Sequence, residues 1–123
     1  SSWYRGDAYV LLIRQIDNNK LIGGISLTNV RSWPACSASL GYWLGAKHEG
    51  QGYMQESVAA VCKWAFQTLG LYRIEAGILA SNMRSRKVLE INGFQEEGFA
   101  KAYLEIAGAR RDHILFALVR SDA

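Results

Sequence analysis

The fold is decided by the stretch Gly41-Tyr42-Trp43-Leu44-Gly45-Ala46-Lys47-His48-Glu49-Gly50-Gln51-Gly52-Tyr53-Met54. It predicts a strand that ends, a glycine-bearing turn, and then a long amphipathic helix. The first backbone N–H groups of such a helix have no intrahelical partner and lie at the positive end of the helix dipole. Gly50 and Gly52 remove the side chains that would keep a ligand away from these donors. The stretch therefore predicts an anion cradle of the kind that binds phosphate or pyrophosphate.

Two better-known phosphate-binding fingerprints do not fit this turn. A dinucleotide-binding fingerprint requires a third glycine three residues after Gly52, where this chain has Gln55. A P-loop requires a Gly-Lys-Ser or Gly-Lys-Thr triplet, which the sequence lacks. On this fragment alone, an ordinary tight turn before a helix remains an alternative to a phosphate site.

The composition is that of a globular protein. The chain has 123 residues, half of them hydrophobic and a fifth charged, with a net charge of +3. This length predicts a single domain over residues 1–123. The modest charge favours no direct nucleic-acid partner, and no apolar run has the length of a membrane span. Cys36 and Cys62 have no metal-ligand or redox spacing, so we expect no metal and a buried thiol at Cys62 in a reducing cytoplasm.

The hydrophobic periodicity predicts an α/β (α+β) fold. Strand-like patterns cover residues 9–16, 21–28, 37–44, 72–79, 94–106 and 112–119, and helical patterns cover 53–69 and 84–91. Gly70 is the expected end of the first helix, and Gly98 an expected bulge. Hairpins at both ends around a central βαβ crossover predict a mixed sheet that is antiparallel except between the two strands joined by the first helix.

A second informative cluster runs from Leu79 to Phe94. Asn82 and Ser85 are three residues apart at the start of the second helix, and Gly93-Phe94 follows its end. Taken alone, Asn82 is simply an N-cap, and Ser85 a first-turn residue that satisfies a backbone donor.

Together the two clusters resemble the GNAT superfamily of acetyl-coenzyme A-dependent N-acetyltransferases. In that family a Gln/Arg-x-x-Gly-x-Gly/Ala signature opens the pyrophosphate-binding helix, and this sequence has Lys47-His48-Glu49-Gly50-Gln51-Gly52. An asparagine near the thioester and a short helix ending in Gly-Phe come next in the family, matched by Asn82 and Gly93-Phe94. The resemblance implies central strands that splay apart and acetyl-coenzyme A as the co-substrate.

The C-terminal third narrows the resemblance to the ribosomal-protein-alanine N-acetyltransferase branch of RimJ type. The matching residues are 97–104, Gly108 and 111–115. Members of that branch also carry an N-terminal strand and two helices that wall the acceptor side, and we expect these to be missing here. The resemblance implies a protein N-terminus, of the ribosomal-protein alanine type, as the acceptor.

The resemblance also implies roles for individual residues. The expected coenzyme A contacts are Trp43, Leu44, Gly45, Lys47, Gly50, Gln51, Gly52, Tyr53, Met54, Asn82, Ser85 and Arg86. Ser85 and Tyr103 are the hydroxyl candidates for protonating the leaving thiolate, and for Tyr103 a core or substrate-wall aromatic is the favoured alternative. Many family members carry a glutamate where this chain has Ser39, so that residue cannot supply the base here. Glu75 is therefore the expected base, with Glu105 as its alternative.

Two other functions stay open at the level of sequence. One keeps the reaction and changes the acceptor to a small amine such as a polyamine, an amino acid or a drug. The other is a non-catalytic acyl-coenzyme A-binding or ribosome-assembly module, which the serine at position 39 and the expected missing N-terminal wall would favour.

Overall fold

The chain alternates between hairpin-connected strands and two helices. A computed structural model describes residues 8–45, 48 and 52–121. The elements in chain order are β1 (Tyr9–Arg14), β2 (Leu21–Arg31), β3 (Ser37–Leu44), α1 (Tyr53–Gln67), β4 (Arg73–Leu79), α2 (Met83–Ile91), β5 (Gln95–Ile106) and β6 (Ala109–Val119). Each of the eight predicted elements is confirmed, with differences only at their ends.

The strands form one six-stranded sheet in the order β1-β2-β3-β4-β6-β5. Only β3 and β4, which are joined by α1, run parallel, and the other neighbours are antiparallel. This arrangement confirms the predicted mixed sheet with a central βαβ crossover. It also brings the end of β3 and the start of α1 to the middle of the sheet, next to β4.

The hydrophobic core lies between one face of the sheet and the two helices. Because side chains alternate along a strand, every second residue of each central strand points to this face. Fully buried examples are Leu27, Ile74 and Phe116 from the sheet, Val58 from α1 and Leu89 from α2. Cys62 is also buried in this cluster, as the helical pattern predicts, and burial raises the pKa of its thiol to about 12.

Turn geometry explains where the element ends differ from the predictions. β6 begins at Ala109 rather than at residue 112, because Ala107 and Gly108 both adopt positive φ angles, of 53° and 84°. Two positive φ angles in a row make the tight hairpin turn whose twist matches the strands, so pairing starts directly after it. The first helix ends at Gln67, and Gly70 lies beyond it with a left-handed φ of 70°. The register shift between Glu96 and Gly98 confirms the predicted bulge.

Candidate active site

The parallel pair at the centre of the sheet separates after a short paired segment. β3 and β4 pair only at Ser37 with Arg73, Ala38 with Ile74, and Ser39 with Glu75. Beyond Ser39 both strands continue, β3 to Leu44 and β4 to Leu79, without pairing to each other. Splayed central strands are thus present, and we call the opening between them the split.

A cavity of about 610 Å³ lies where β3 ends and both helices begin. We call it the helix-end cavity. Its lining includes Tyr42, Trp43 and Leu44 of β3, Gly52, Met54 and Gln55 at the start of α1, and Asn82, Met83, Arg84, Ser85, Lys87 and Val88 around the start of α2. The cavity therefore combines a strand end with two helix N-termini, which is an arrangement that favours an anionic ligand.

The start of α1 is shaped by one glycine. Gly52 is the N-cap with a left-handed φ of 83°, and no side chain caps the helix. A Cβ atom added to Gly52 would meet no atom of the described residues within 4 Å. The first helical N–H groups lack intrahelical acceptors by construction. The predicted cradle residues Lys47, Gly50 and Gln51 lie outside the described residues.

The other expected coenzyme A contacts divide into two groups. Trp43, Leu44, Met54, Asn82 and Ser85, together with Gly52, line the helix-end cavity.

Three expected contacts are not among its lining residues. Gly45 donates its N–H to the carbonyl of Ile22, and the Tyr53 hydroxyl accepts a hydrogen bond from the Gln15 side chain. Arg86 forms ion pairs at 3.1 Å with Glu96 and 3.7 Å with Glu90. Arg84 and Lys87, which lie next to Arg86 or two residues before it in the sequence, do line the cavity.

A hydrogen bond from Tyr42 joins the start of α2 to β3, and no role was expected for Tyr42 from the sequence. The Asn82 side chain accepts a hydrogen bond from the Ser85 N–H at 3.1 Å, as an N-cap does. The Tyr42 hydroxyl donates to the Ser85 carbonyl at 3.4 Å. Burial raises the pKa of Tyr42, and the contact with Ser85 opposes this only in part. The alternating pattern of β3 predicts which face carries Tyr42, but not that it reaches α2.

A second cavity, of about 460 Å³, lies on the sheet face turned away from the helices. We call it the sheet-face cavity. Its polar lining is contributed by Ser26, Thr28, Ser39, Arg73, Glu75, Glu97 and Tyr103. These residues come from β2, β3, β4 and β5, and those on the first three strands alternate with core residues, as the pleat requires.

Charged residues form a network along one side of the sheet-face cavity. Glu75 accepts hydrogen bonds from Arg31 at 3.0 Å and from the Nε of Arg73 at 2.8 Å. The guanidinium of Arg73 also forms two hydrogen bonds with Glu97, one at 3.0 Å. Burial alone would raise the pKa of Glu75, but the two arginines outweigh it and lower that pKa. The bonds from Arg73 also lower the pKa of Glu97.

The three predicted catalytic residues fall into different cavities. Ser85 lines the helix-end cavity, whereas Glu75 and Tyr103 line the sheet-face cavity. Glu105, the alternative base, lies on β5 opposite Arg110, is exposed, and is not among the lining residues of either cavity. The two cavities flank β3 on opposite faces, because Gly41 lines one and the next residue, Tyr42, lines the other.

Two observations bear on metals and membranes. Among residues 8–45, 48 and 52–121, no group of three or more His, Cys, Asp and Glu side chains is arranged to hold a metal ion. Over the same residues, neither helix has the length and apolar character needed to cross a membrane.

Comparison with known families explains the split sheet and its two cavities. Residues 1–95 match the family described as the acetyltransferase (GNAT) domain. This match covers well over half of the chain, and the mixed sheet with its central βαβ crossover is a GNAT-like fold. The chain belongs to the GNAT acetyltransferase domain family.

Particular relatives narrow the comparison. The chain is 36% identical over 118 residues to the "Probable N-acetyltransferase YjcK" of Bacillus subtilis, a match that covers 96% of this chain and 65% of the relative. It is also 36% identical to the [ribosomal protein uS5]-alanine N-acetyltransferase of Escherichia coli, covering 96% and 61%. The chain thus spans somewhat less than two thirds of the length of these curated relatives.

A solved structure shows the same relationship in three dimensions. The structure of Mycobacterium smegmatis RimJ in complex with CoA-disulfide superposes with a TM-score of 0.92 at 34% identity. The superposition covers 97% of this chain and 56% of that protein.

Proposed function

We propose that this chain binds acetyl-coenzyme A in the helix-end cavity and transfers the acetyl group to an amine held in the sheet-face cavity. The observation that carries the proposal is that two cavities with different chemistry border β3 from opposite faces, next to the split. A transferase needs a donor and an acceptor to approach one point from separate sites. Membership of the acetyltransferase family and the CoA-disulfide in the Mycobacterium smegmatis RimJ structure support acetyl-coenzyme A as the donor.

The residues of the helix-end cavity fit coenzyme A. The N-terminus of α1 offers backbone N–H groups to the pyrophosphate, and the left-handed Gly52 presents no side chain against it. Arg84 and Lys87 supply positive charge at the same cavity. We assign Lys47, Gly50 and Gln51 to the same cradle on the family signature alone.

The pantetheine arm is proposed to follow the end of β3. Past Ser39 this strand no longer pairs with β4, so its backbone can bond the amides of an extended ligand as an added strand would. Trp43, Leu44 and Gly45 lie on this segment, and the thioester would then reach the split between β3 and β4.

The proposed reaction is direct attack of the amine nitrogen on the thioester carbonyl carbon. The nitrogen–carbon bond forms, the carbon–sulfur bond breaks, and the amine loses one proton while the thiolate gains one. An α-amine has an ordinary pKa of about 8, so it needs only mild base assistance. We assign the proton on the sulfur to the Ser85 hydroxyl, which lies on the donor side and regains a proton from solvent water.

Glu75 is proposed to receive the amine proton through water. It is the register partner of Ser39, the position where many family members carry glutamate, so its carboxylate lies one strand away from that place. Its two arginine contacts keep it ionised at neutral pH, which suits attraction of an ammonium group but makes it a weak base. Because the attacking α-amine needs little assistance, a weak base suffices.

The proposed acceptor is the N-terminal α-amine of a protein, of the ribosomal-protein alanine type. The 36% identity to the Escherichia coli enzyme that acts on ribosomal protein uS5 supports this choice, as does the carboxylate-bearing sheet-face cavity. An enzyme of this type would work in the cytoplasm, where ribosomes and acetyl-coenzyme A occur together.

Calorimetric titration of the chain with acetyl-coenzyme A tests the donor site. Release of free coenzyme A with an Ala-initiated peptide, and separately with a polyamine panel, then tests the acceptor. Binding followed by turnover of the peptide supports the proposal, and turnover of polyamines alone would assign a small-amine enzyme. Binding without turnover of any acceptor would indicate a non-catalytic module, and absence of binding would refute the donor assignment.

A further inference from the structure

Strand β5 contains a second irregularity, which lies beside the sheet-face cavity. The pairing of β5 with β6 jumps from Ala100 opposite His113 to Leu104 opposite Arg111. Three residues of β5, 101–103, therefore face a single residue of β6, Asp112. We call this segment the 101–103 bulge. Ala102 at its centre has a left-handed φ of 51°, a conformation that a residue with a Cβ adopts only when its surroundings enforce it.

Two charged side chains of β6 hold the bulge in place. Asp112 accepts a hydrogen bond from the Ala102 N–H at 2.7 Å. Arg110 donates to the Ala102 carbonyl at 3.2 Å and 2.9 Å, and to the Tyr103 carbonyl at 3.3 Å. Hydrogen bonds with one charged partner are stronger than neutral ones, so this clamp can offset the strain at Ala102. The bulge has a fixed shape rather than being a loosely paired strand end.

The bulge directs the ring of Tyr103 onto the backbone of β4. A Cβ atom built on Gly77 would lie 3.2 Å from Cε2 and 3.8 Å from Cδ2 of Tyr103, so the ring rests against a residue that has no side chain. The ring also packs at 5.4 Å, between centroids, against the buried His113. Tyr103 is still 45% exposed, and the exposed part lines the sheet-face cavity.

The location of Gly77 relates the ring of Tyr103 to the split. The last β3–β4 pair is Ser39 with Glu75, and Gly77 is the next residue of β4 on the same face as Glu75. It therefore lies where the split opens. The ring of Tyr103 covers it from the sheet-face side, which is the acceptor side under the proposed function.

We propose that Tyr103, held over Gly77 by the 101–103 bulge, sets the size of the group that an acceptor may carry next to its amine. This inference rests on the proposed function. The ring occupies the space beside the reacting position and is confined by Gly77, His113 and the clamped backbone. It selects amines next to a small group, such as an alanine or serine N-terminus, over those next to a large branched or aromatic group.

Arg110 and Asp112 are positioning residues in this inference, because they touch the bulge and act through Tyr103. Tyr103 itself takes part in no proton transfer here. The hydroxyl role given to it by the family resemblance belongs to the donor side, whose cavity is lined by Ser85 and not by Tyr103.

The test compares peptides that differ only in their first residue, alanine or leucine. For Tyr103→Ala, the ratio of kcat/KM for the leucine peptide to that for the alanine peptide should rise by about tenfold or more, as expected when a pocket gains room for several carbon atoms. Tyr103→Phe keeps the ring and should keep the wild-type ratio. The coenzyme A dissociation constant should stay within about twofold in both, because the donor site is separate.

Two further variants test the bulge itself. Arg110→Gln loosens the clamp and should shift the ratio in the same direction as Tyr103→Ala, by a smaller factor. Arg111→Gln is the matched control, since it removes a neighbouring charge on β6 that takes no part in the clamp bonds. As a single substitution, Gly77→Val should displace the Tyr103 ring and raise the leucine-to-alanine ratio. Added to Tyr103→Ala, it should not change the ratio further. Thermal melts identify any variant that is unfolded.

The outcomes separate this inference from the proposed function. A wild-type chain that acetylates the alanine peptide, with a ratio unchanged in both Tyr103→Ala and Gly77→Val, overturns the inference and leaves the function intact. If the wild-type chain binds coenzyme A but acetylates neither peptide, the proposed function fails. The inference is then judged on the affinity of the two peptides in the presence of coenzyme A. An unchanged preference, or no binding of either peptide, would overturn it.

Discussion

The two cavities are built in different ways. The helix-end cavity is formed where elements begin and end, so backbone N–H groups and the conformation of one glycine, Gly52, define it. The sheet-face cavity is formed by side chains from separate strands, and an ion-pair network orders one side of it. The part of the first cavity formed by β3 and α1 can be recognised from one contiguous stretch of sequence. The second exists only after the sheet has brought distant residues together.

The largest effect of a substitution is expected for Gly52→Val, in the helix-end cavity. A β-branched residue at a φ of 83° is strained, and its side chain would enter the space in front of the helix N–H groups. We expect coenzyme A affinity measured by calorimetry to fall at least about 100-fold, the equivalent of one or two lost hydrogen bonds to a charged group.

The same helix offers a matched control for that variant. Gly70, beyond the other end of α1, has a φ of 70° and equally open surroundings. Gly70→Val should destabilise the fold by a similar amount, about 1 to 2 kcal/mol, and leave coenzyme A affinity unchanged. Equal losses of affinity in the two variants would mean that helix stability, and not the cradle, explains the effect.

The next largest effect is expected in the sheet-face cavity. Glu75→Gln removes the proposed proton acceptor and should lower kcat by about 100-fold, while coenzyme A binding is retained. Glu105→Gln is the control, because Glu105 lies on β5 outside both lining sets. The reverse pattern in steady-state assays, with Glu105→Gln inactive and Glu75→Gln active, would move the base to β5.

A smaller effect is expected from the cap of α2. Asn82→Ala removes the acceptor for the Ser85 N–H and should lower the free energy of unfolding by about 1 kcal/mol. Asn82→Asp keeps a side-chain oxygen at the cap and should retain most of that stability. Urea denaturation of both variants measures the difference, and equal stability of Asn82→Ala and the wild type would show that the cap bond contributes nothing.

The smallest effect is a dependence of stability on acid. The pKa of Glu75 is lowered in the folded state from its ordinary value of 4.5, so its contribution to stability is present above that pH and is lost as the pH falls through the folded-state pKa. At pH values below 4.5, the urea concentration at the unfolding midpoint should therefore decrease more steeply with falling pH for the wild type than for Glu75→Gln. Parallel pH profiles for the two proteins would contradict a stabilising role for the arginine contacts.

The sequence predicted the features that depend on local patterns. Alternation and the 3.6-residue period located all eight elements, and the glycine turn located the start of α1. The N-cap role of Asn82 was predictable, because an asparagine three residues before a first-turn donor is a local signal. The assignment of the helix-end cavity to coenzyme A stays a prediction.

Features that depend on long-range pairing could not be read in this way. The sequence gives no sign that Arg31 reaches Glu75, 44 residues further along, or that Tyr42 contacts the start of α2. The 101–103 bulge was missed because its cause, the clamp from Arg110 and Asp112, lies on the neighbouring strand. Register between strands is set by the whole sheet, and no short stretch records it.

The ion pair between Arg31 and Glu75 joins β2 to β4 across the strand that lies between them. Arg31 is the register partner of Ser37, and Glu75 is that of Ser39, the last residue of β3 that pairs with β4. Where β3 and β4 still pair, the two halves of the sheet are thus joined by three paired positions and by this ion pair. The side chains of both partners are about one third exposed, so dissolved salt screens the attraction between them. The contribution of this ion pair to the stability of the sheet should therefore decrease as the ionic strength rises.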